Sequence, residues 1–553
     1  MDEAWAACDL EDCRGVRVDD FDRCLKHLEP ARQDEYFAGL SLGAEVDLRG
    51  TELSRTLVER LVDAVGSIDG RRAEFGRAEF AGTVFREFAD FRGVTFFDGN
   101  FEGARFEAAV TFDKADFRDG GSFLGSRFVD RATFEGVVFE EVTFEGANFV
   151  GDTRFDRAAF KGGDFTNTRF DGRVSFGKVK FAGDVSFSHG FPEDVSFDEA
   201  EFAGEAGFGL VRFDGRATFV NAKFAAGATF GGATFDDHAW FDDARFDGEV
   251  TFEDVKFHSE VSFEGAVFTV AERFGPVTAE RLIFGRATFR RRMIIDARAP
   301  KVDCTHTRFA EGVTLNLGRH SSADLERTFF GKASTVIGAS VASVAGTDVA
   351  DLVFTDVGLA HCRFAGAHHL DKLRLEGDCR FATYRKRQVL AEERAWRADR
   401  DAPVGPRRIG DLYRQLRKAQ EDSKNEPGAA DFYYGEMEMR RHSPVTPWSE
   451  RVILHLYWLI SGYGLRALRA LATLAVLIAV VTAAFTAAGF KGNPGFGETL
   501  IYVAQSTVSL ETKLASLPKD LTPSGEVMRL VMRVLGPLLL GLTLLAVRNR
   551  VKR

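Results

Sequence analysis

The chain has 553 residues, 28% of them charged, and a formal net charge of −11. That length allows several domains, six cysteines are too few for a disulfide-built scaffold, and the acidic balance argues against direct nucleic-acid binding. Its 54 Phe and 55 Gly stand against eight Tyr and five Trp, and an excess of one aromatic residue alone points to a repeat.

Residues 1–50 read as a small Cys/His-rich region. Cys8, Cys13, Cys24 and His27 follow a C-x4-C, ten-residue, C-x2-H spacing. Two short-spaced pairs separated by a loop suit a tetrahedral zinc site of the Cys3His type. Four protein ligands leave no open position, so the metal is expected to be structural. The competing reading is three unrelated thiols and a surface histidine. The stretch "MDEAWAACDLEDC" has neither the basic start nor the apolar run of a signal sequence. Residues 51–70 carry Leu53, Leu57, Val58, Leu61, Val62 and Val65 at helical spacing, which predicts an amphipathic helix capping the first coil of a repeat.

From residue 71 to 290 phenylalanine recurs at steps of five and six. Between Arg212 and Phe268 the series includes Phe213, Phe219, Phe224, Phe230, Phe235 and Phe241, and two residues before each stands Ala or Val. Neither a helix nor a plain strand has that period. In extended backbone, positions i and i−2 face one side, so each Phe and its small partner share an interior. The intervening Gly, Asp, Glu, Asn and Lys supply turns and a wet surface. A chain that extends, turns and repeats winds into stacked coils about 4.8 Å apart, and no coil can bury its apolar face alone.

The motif (Ala/Val)-x-Phe-x-Gly, as in "ATFEG", "ANFVG", "AEFAG" and "ARFDG", resembles the pentapeptide-repeat family. The resemblance implies a mainly-β chain built on a right-handed quadrilateral β-solenoid with four repeats per coil. The sixth residue at alternate repeats implies about 22 residues per coil and about ten coils over residues 71–290. The family ranges from DNA-mimicking gyrase inhibitors to members with no assigned activity, so the likeness speaks for fold far more than for function. Net charge is about −13 over residues 71–290 and about +10 over residues 381–553. An acidic rod suits a protein partner with a basic surface, although Asp and Glu also keep a Phe-filled rod soluble.

Residues 291–375 keep echoes of the repeat, such as "CRFAGAHHL", and read as less regular coils. Cys304, Cys362 and Cys379, with His361, His368 and His369, lack paired spacing and are expected to be core cysteines and scattered histidines. Residues 376–450 turn charged and helical. Two helices broken at "NEPGA" are predicted, with Leu412, Leu416 and Ala419 facing Phe432, Tyr433 and Met437. The pair is weakly similar to a tetratricopeptide-type hairpin, and a plain connector is the stronger reading.

Residues 451–553 form the membrane region, with uncharged or nearly uncharged spans near 470–490 and 527–547. Arg466 and Arg469 precede the first, and Arg548, Arg550, Lys552 and Arg553 follow the second. This predicts an inner-membrane protein with both termini and the rod in the cytoplasm. "RVILHLYWLISGYG" reads as interfacial, with Tyr457 and Trp458 at headgroup level. The loop "FGETLIYVAQSTVSLETK" between the spans has an apolar start fit for a short re-entrant helix, a layout weakly similar to two-helix ion channels. Of a potassium filter only Thr507 and Val508 match, while Ser509, Leu510 and Glu511 replace the rest. No phosphate loop, dinucleotide fingerprint or nucleophile motif is present, so no catalytic residue is expected. The leading reading is a non-enzymatic, membrane-anchored interaction scaffold. A pore formed by a ring of chains and regulated by the solenoid comes second, and a gyrase-binding DNA mimic comes third.

Overall fold

A computed structural model describes residues 5–18, 21–66, 72–492, 494–508 and 520–551. The chain divides into two compact units, Met1–Gly358 and Leu359–Arg553.

The first unit is a β-solenoid of about 14 coils. A middle coil shows the plan: Ala206–Gly207, Arg212–Phe213, Ala217–Thr218 and Lys223–Phe224 are four two-residue strands, one on each of four parallel sheets. Each strand pairs in parallel with the strand one coil on, so Phe202 lies beside Phe224 and Phe224 beside Phe246. Over the Phe-rich coils the register is 21 residues in some and 22 in others, as the bonds from Arg173 to Asp152 and from Arg216 to Asp194 record, and it shortens to 20 and to 18 in later coils. Coils of 22 alternate five- and six-residue steps, as the Arg212–Phe268 window does. Most coils of 21 keep one six-residue step, at the corner exemplified by Phe85 to Phe91 and Phe149 to Phe155, while the coil from Phe176 to Phe197 takes steps of five, six, four and six.

Burial follows the motif. Phe224 and Ala222 are both inside, as are Phe219 and Ala217. Successive rings in a column stack nearly parallel, Phe219 on Phe241 at 4.7 Å and Phe202 on Phe224 at 4.8 Å, which is the strand spacing itself. Rings of opposite columns meet edge to face, as Phe219 and Phe230 do at 5.6 Å and 88°. Where Thr takes the small position its hydroxyl donates to a backbone carbonyl of an adjacent coil, as Thr168 does to Phe144 at 2.8 Å and Thr328 to Cys304 at 2.7 Å. The ladder continues past residue 290, through Met293–Arg298, Val313–Leu317, Ser334–Ile337 and Leu352–Thr355, with aliphatic residues replacing Phe.

The ladder also begins before residue 71. Ala44–Asp47 pairs with Glu74–Glu79, and Glu52–Leu53 with Val84–Phe85. Helix α1 (Pro30–Gly39) buries Phe37, and α2 (Arg55–Ala64), capped by Ser54, buries Leu57, Val58 and Leu61; Val62 is half-buried. Both lie at the N-terminal edge, where unpaired strand groups would otherwise face water.

In the second unit α3 (Ala391–Ala398) precedes an antiparallel hairpin of α4 (Pro406–Asp422) and α5 (Glu426–His442). Asn425 caps α5 by accepting from the Gly428 N–H. Leu412, Leu416, Ala419, Phe432 and Met437 are buried as their spacing predicts, and Tyr433 is half-buried beneath Arg417. Then come α6 (Trp448–Ser461), α7 (Ala467–Ala488), α8 (Phe496–Val508) and α9 (Pro523–Val551). Among the described residues α7 and α9 are the helices long and apolar enough to cross a bilayer. Ser509, Leu510 and Glu511 lie outside the described residues.

Candidate functional site

Two local folds assemble the cysteine–histidine cluster. An antiparallel bridge between Ala7 and Val16 closes a hairpin whose turn carries Cys8 and Cys13. The one-turn helix Leu25–His27, begun by Cys24 and anchored by buried Leu25, brings Cys24 and His27 to one side. Cys24 Sγ lies 3.4 Å from His27 Nδ1, Cys8 Sγ lies 3.6 Å from the same nitrogen, and Cys13 Sγ lies 3.7 Å from Cys24 Sγ. All four ligand atoms lie within 4.8 Å of one another. A tetrahedral zinc with thiolate and imidazole ligands sets its donor atoms about 3.5–3.8 Å apart, so the cluster is compatible with zinc.

The thiols differ sharply. Burial alone would raise Cys8, but backbone N–H groups of Cys24 and Leu10 and the His27 ring outweigh it and bring the thiol down to about 6. Burial and the neighbouring Cys13 push Cys24 up to about 12. Cys8 and Cys24 are buried while Cys13 and His27 are half-buried and line a cavity of ≈ 560 Å³ with Trp5 and Arg14. Gly15 is the residue the spacing did not reveal. A Cβ there would sit 2.8 Å from the Cys24 Cβ and 3.1 Å from its Sγ, so only glycine lets the hairpin lie on the second pair. The Val16 N–H then donates to the Arg49 carbonyl at 2.8 Å, tying the cluster to the first coil. Among the described residues this is the one group with metal-ligand geometry. Cys304 and Cys362 are buried in coil interiors.

The solenoid surface is a lattice of ion pairs running between coils. Arg173 reaches Asp152 at 2.8 Å, Arg216 reaches Asp194 at 2.7 Å, Lys223 reaches Glu201 at 2.9 Å and Arg286 reaches Glu264 at 2.5 Å. Three of these carboxylates are held below the usual range by those partners, Asp152 by Arg173, Asp194 by Arg216 and Glu201 by Lys223. Among the described residues Asp243, Glu249, Glu253 and Asp254 form no ion pair and stand exposed on successive turns. They are among the exposed solenoid carboxylates that no basic side chain of the described residues neutralises.

In the second unit a buried polar joint ties the hairpin to the foot of α7. Glu393 accepts two bonds from Arg387 at 2.6 and 2.8 Å, one from Arg397 at 2.7 Å, and one from the Tyr413 hydroxyl. Tyr413 in turn accepts from the Leu390 N–H at 3.0 Å. Glu438 accepts from Arg441 at 2.9 Å and from the Tyr463 hydroxyl at 3.0 Å. Burial would raise the Glu438 carboxyl, but His442 and Arg441 hold it well below the ordinary carboxylate range. Tyr457 and Trp458, expected at headgroup level, turn inward instead. The Trp458 indole donates to the Tyr434 hydroxyl at 3.0 Å and its ring is flanked by Arg441 and Arg469, while Tyr457 meets the Tyr463 ring at 5.8 Å. Their polar tips find partners in the joint.

Between the two long helices α8 folds back onto both. Val503 is fully buried with Phe485, Phe490 and Met532, and the Thr507 backbone lies so close to Gly536 that a Cβ there would come within 2.6 Å of it.

Residues 144–190 and 208–256 match the family model described as pentapeptide repeats (9 copies). No curated protein matches the chain, and no solved structure does.

Proposed function

From a pentapeptide-repeat β-solenoid joined in sequence to two apolar helices, we propose a non-enzymatic interaction scaffold tethered to a bilayer. The observation that carries this reading is the openness of α7 and α9. Only 22% of the apolar window of α7 and 28% of that of α9 is buried. Leu468, Val476, Val480, Leu530, Val534 and Leu544 all face outward. A helix in a water-soluble core would hide such residues, and lipid is the solvent that suits them. Arg466 and Arg469 before the first span and Arg548 and Arg550 after the second favour both flanks, and the solenoid with them, on the cytoplasmic side of the inner membrane. The unpaired carboxylates of Asp243, Glu249, Glu253 and Asp254 support a partner with a basic surface. Cys8, Cys13, Cys24 and His27 are the ligands of a structural zinc that closes the N-terminal edge. Alkaline carbonate washing tests the tether: the chain should stay with the membrane pellet and leave only with detergent, and release by carbonate overturns the reading.

The packing of α8 between α7 and α9 favours a second reading, a pore built from a ring of chains. Its test is the stoichiometry of the detergent-extracted protein followed by planar-bilayer recording. Discrete conductance altered by Glu511→Gln supports a pore. A silent bilayer from a verified oligomer leaves the tether alone.

A further inference from the structure

Helix α6 is amphipathic the wrong way round for a protein in water. Its inward side carries Glu450, Arg451, Leu454, Tyr457, Trp458 and Ser461, and these residues hold nearly all of its polar groups. Leu454 packs with Met437 and Tyr463, and Glu450 accepts from Arg440 at 2.5 Å. The outward side carries Trp448, Val452, Ile453, Leu456 and Leu459, exposed by 74, 48, 64, 52 and 60%. At 100° per residue these five fall within one broad arc, with Ser449 and Ile460 among them and His455 at its edge. An apolar surface of this size on a water-facing helix calls for an occupant.

Three observations select that occupant. Fourteen residues span about 21 Å, too short to cross a bilayer, so α6 must lie along the boundary and not through it. Five residues separate α6 from α7, and the outward apolar surface resumes there at Leu468 and Leu471. The only carboxylate on α6, Glu450, is already paired with Arg440, whereas Arg466 beside the helix end is exposed. The balance at this edge is therefore cationic.

We infer that the Trp448–Val452–Ile453–Leu456–Leu459 face of α6 lies in the headgroup–acyl boundary of an anionic lipid monolayer, with the arginines around it facing lipid phosphates. The inference rests on the tether reading of α7 and α9. It differs from what the sequence alone suggests in the side that meets lipid: Trp448 and Leu459 do so, whereas Tyr457 and Trp458 pack half-buried against the protein.

Photo-crosslinking of the full chain in phosphatidylglycerol–phosphatidylcholine vesicles tests it. Benzoylphenylalanine replaces Ile453, Leu454 or Val476 one at a time, and phospholipid adducts are counted by mass. Positions 453 and 476 should capture lipid at a yield at least about tenfold above position 454, whose side chain is covered by protein. Lipid capture at 476 with none at 453, or a dimer band from 453 marking a second copy as the occupant, overturns this inference and leaves the tether standing. Absence of lipid capture at 476 sinks the tether and the inference together.

Discussion

The Phe224 ring lies 4.8 Å from Phe202 below it and 5.0 Å from Phe246 above, with 1% of its surface exposed. A carboxylate there has no donor within the coil, so Phe224→Asp should cost more than about 4 kcal/mol and expose the neighbouring coils to protease. Phe224→Leu keeps an apolar contact and should cost no more than about 3 kcal/mol. Asp214→Ser, on the wet side, should melt near the parent protein. A calorimetric scan of the three variants separates these outcomes, and equal melting of the Asp and Ser variants would refute a Phe-stacked core. At the cluster, protein prepared without chelator should carry about one zinc per chain, lost in Cys24→Ser. Gly15→Ala removes no ligand yet should also lose metal, because its methyl group collides with Cys24. Elemental analysis showing no zinc in the parent chain ends the metal proposal. The four ligands were legible because metal sites are written in residue type and spacing. Gly15 was not, since a need for empty space leaves no pattern in a single chain.

At the scale of elements the buried joint is the most exposed to mutation. Arg387 is 5% exposed, so Glu393→Ala leaves a guanidinium without its carboxylate and should cost about 3–5 kcal/mol. Acid should act on the same region through Glu438. Its carboxyl is depressed in the folded state, so its stabilisation is complete above the ordinary carboxylate range. It is lost only as pH falls through and below that range. Near-ultraviolet dichroism of the joint's tyrosines and Trp458 should therefore hold to mildly acid pH and fail below it, and Glu438→Gln should flatten that dependence. A profile identical in both proteins would remove Glu438 as its cause. The two hairpin helices were readable from apolar spacing and from "NEPGA". Tyr413 was not, because its value lies in a hydroxyl that reaches Glu393 and the Leu390 N–H, contacts that exist only after the chain has folded back. The same cause hid the partners of Tyr457 and Trp458: amphipathic aromatics look alike in sequence whether their tips meet water, headgroups or a protein partner.

At the scale of the whole chain, topology is the first thing to measure. A cysteine placed at Gly492, in the segment between α7 and α8, should react with an impermeant thiol reagent in intact cells, and one placed at Asp214 should not. Labelling at Asp214 would put the solenoid outside and reverse the compartment argument. The solenoid itself was the most legible part, since its period is printed in the positions of Phe, yet the window from Arg212 to Phe268 sampled only the longer coils. The later coils escaped that pattern because Met293, Ile295, Val313 and Leu315 fill the interior without the Phe signature. Those columns have a consequence for how such a chain tolerates insertion and deletion. Losing 21 or 22 residues removes one storey and restores every pairing above it. Losing a single pentapeptide within the Phe-rich coils advances the coils above it by a quarter revolution, and that Phe interior would scarcely notice, because there every side offers the same ring. The exterior would notice at once, since Arg173 would no longer meet Asp152 nor Arg216 meet Asp194. The phase of this molecule is thus kept by its charges, while its core is indifferent to rotation, and its lineage should gain or shed length in whole storeys.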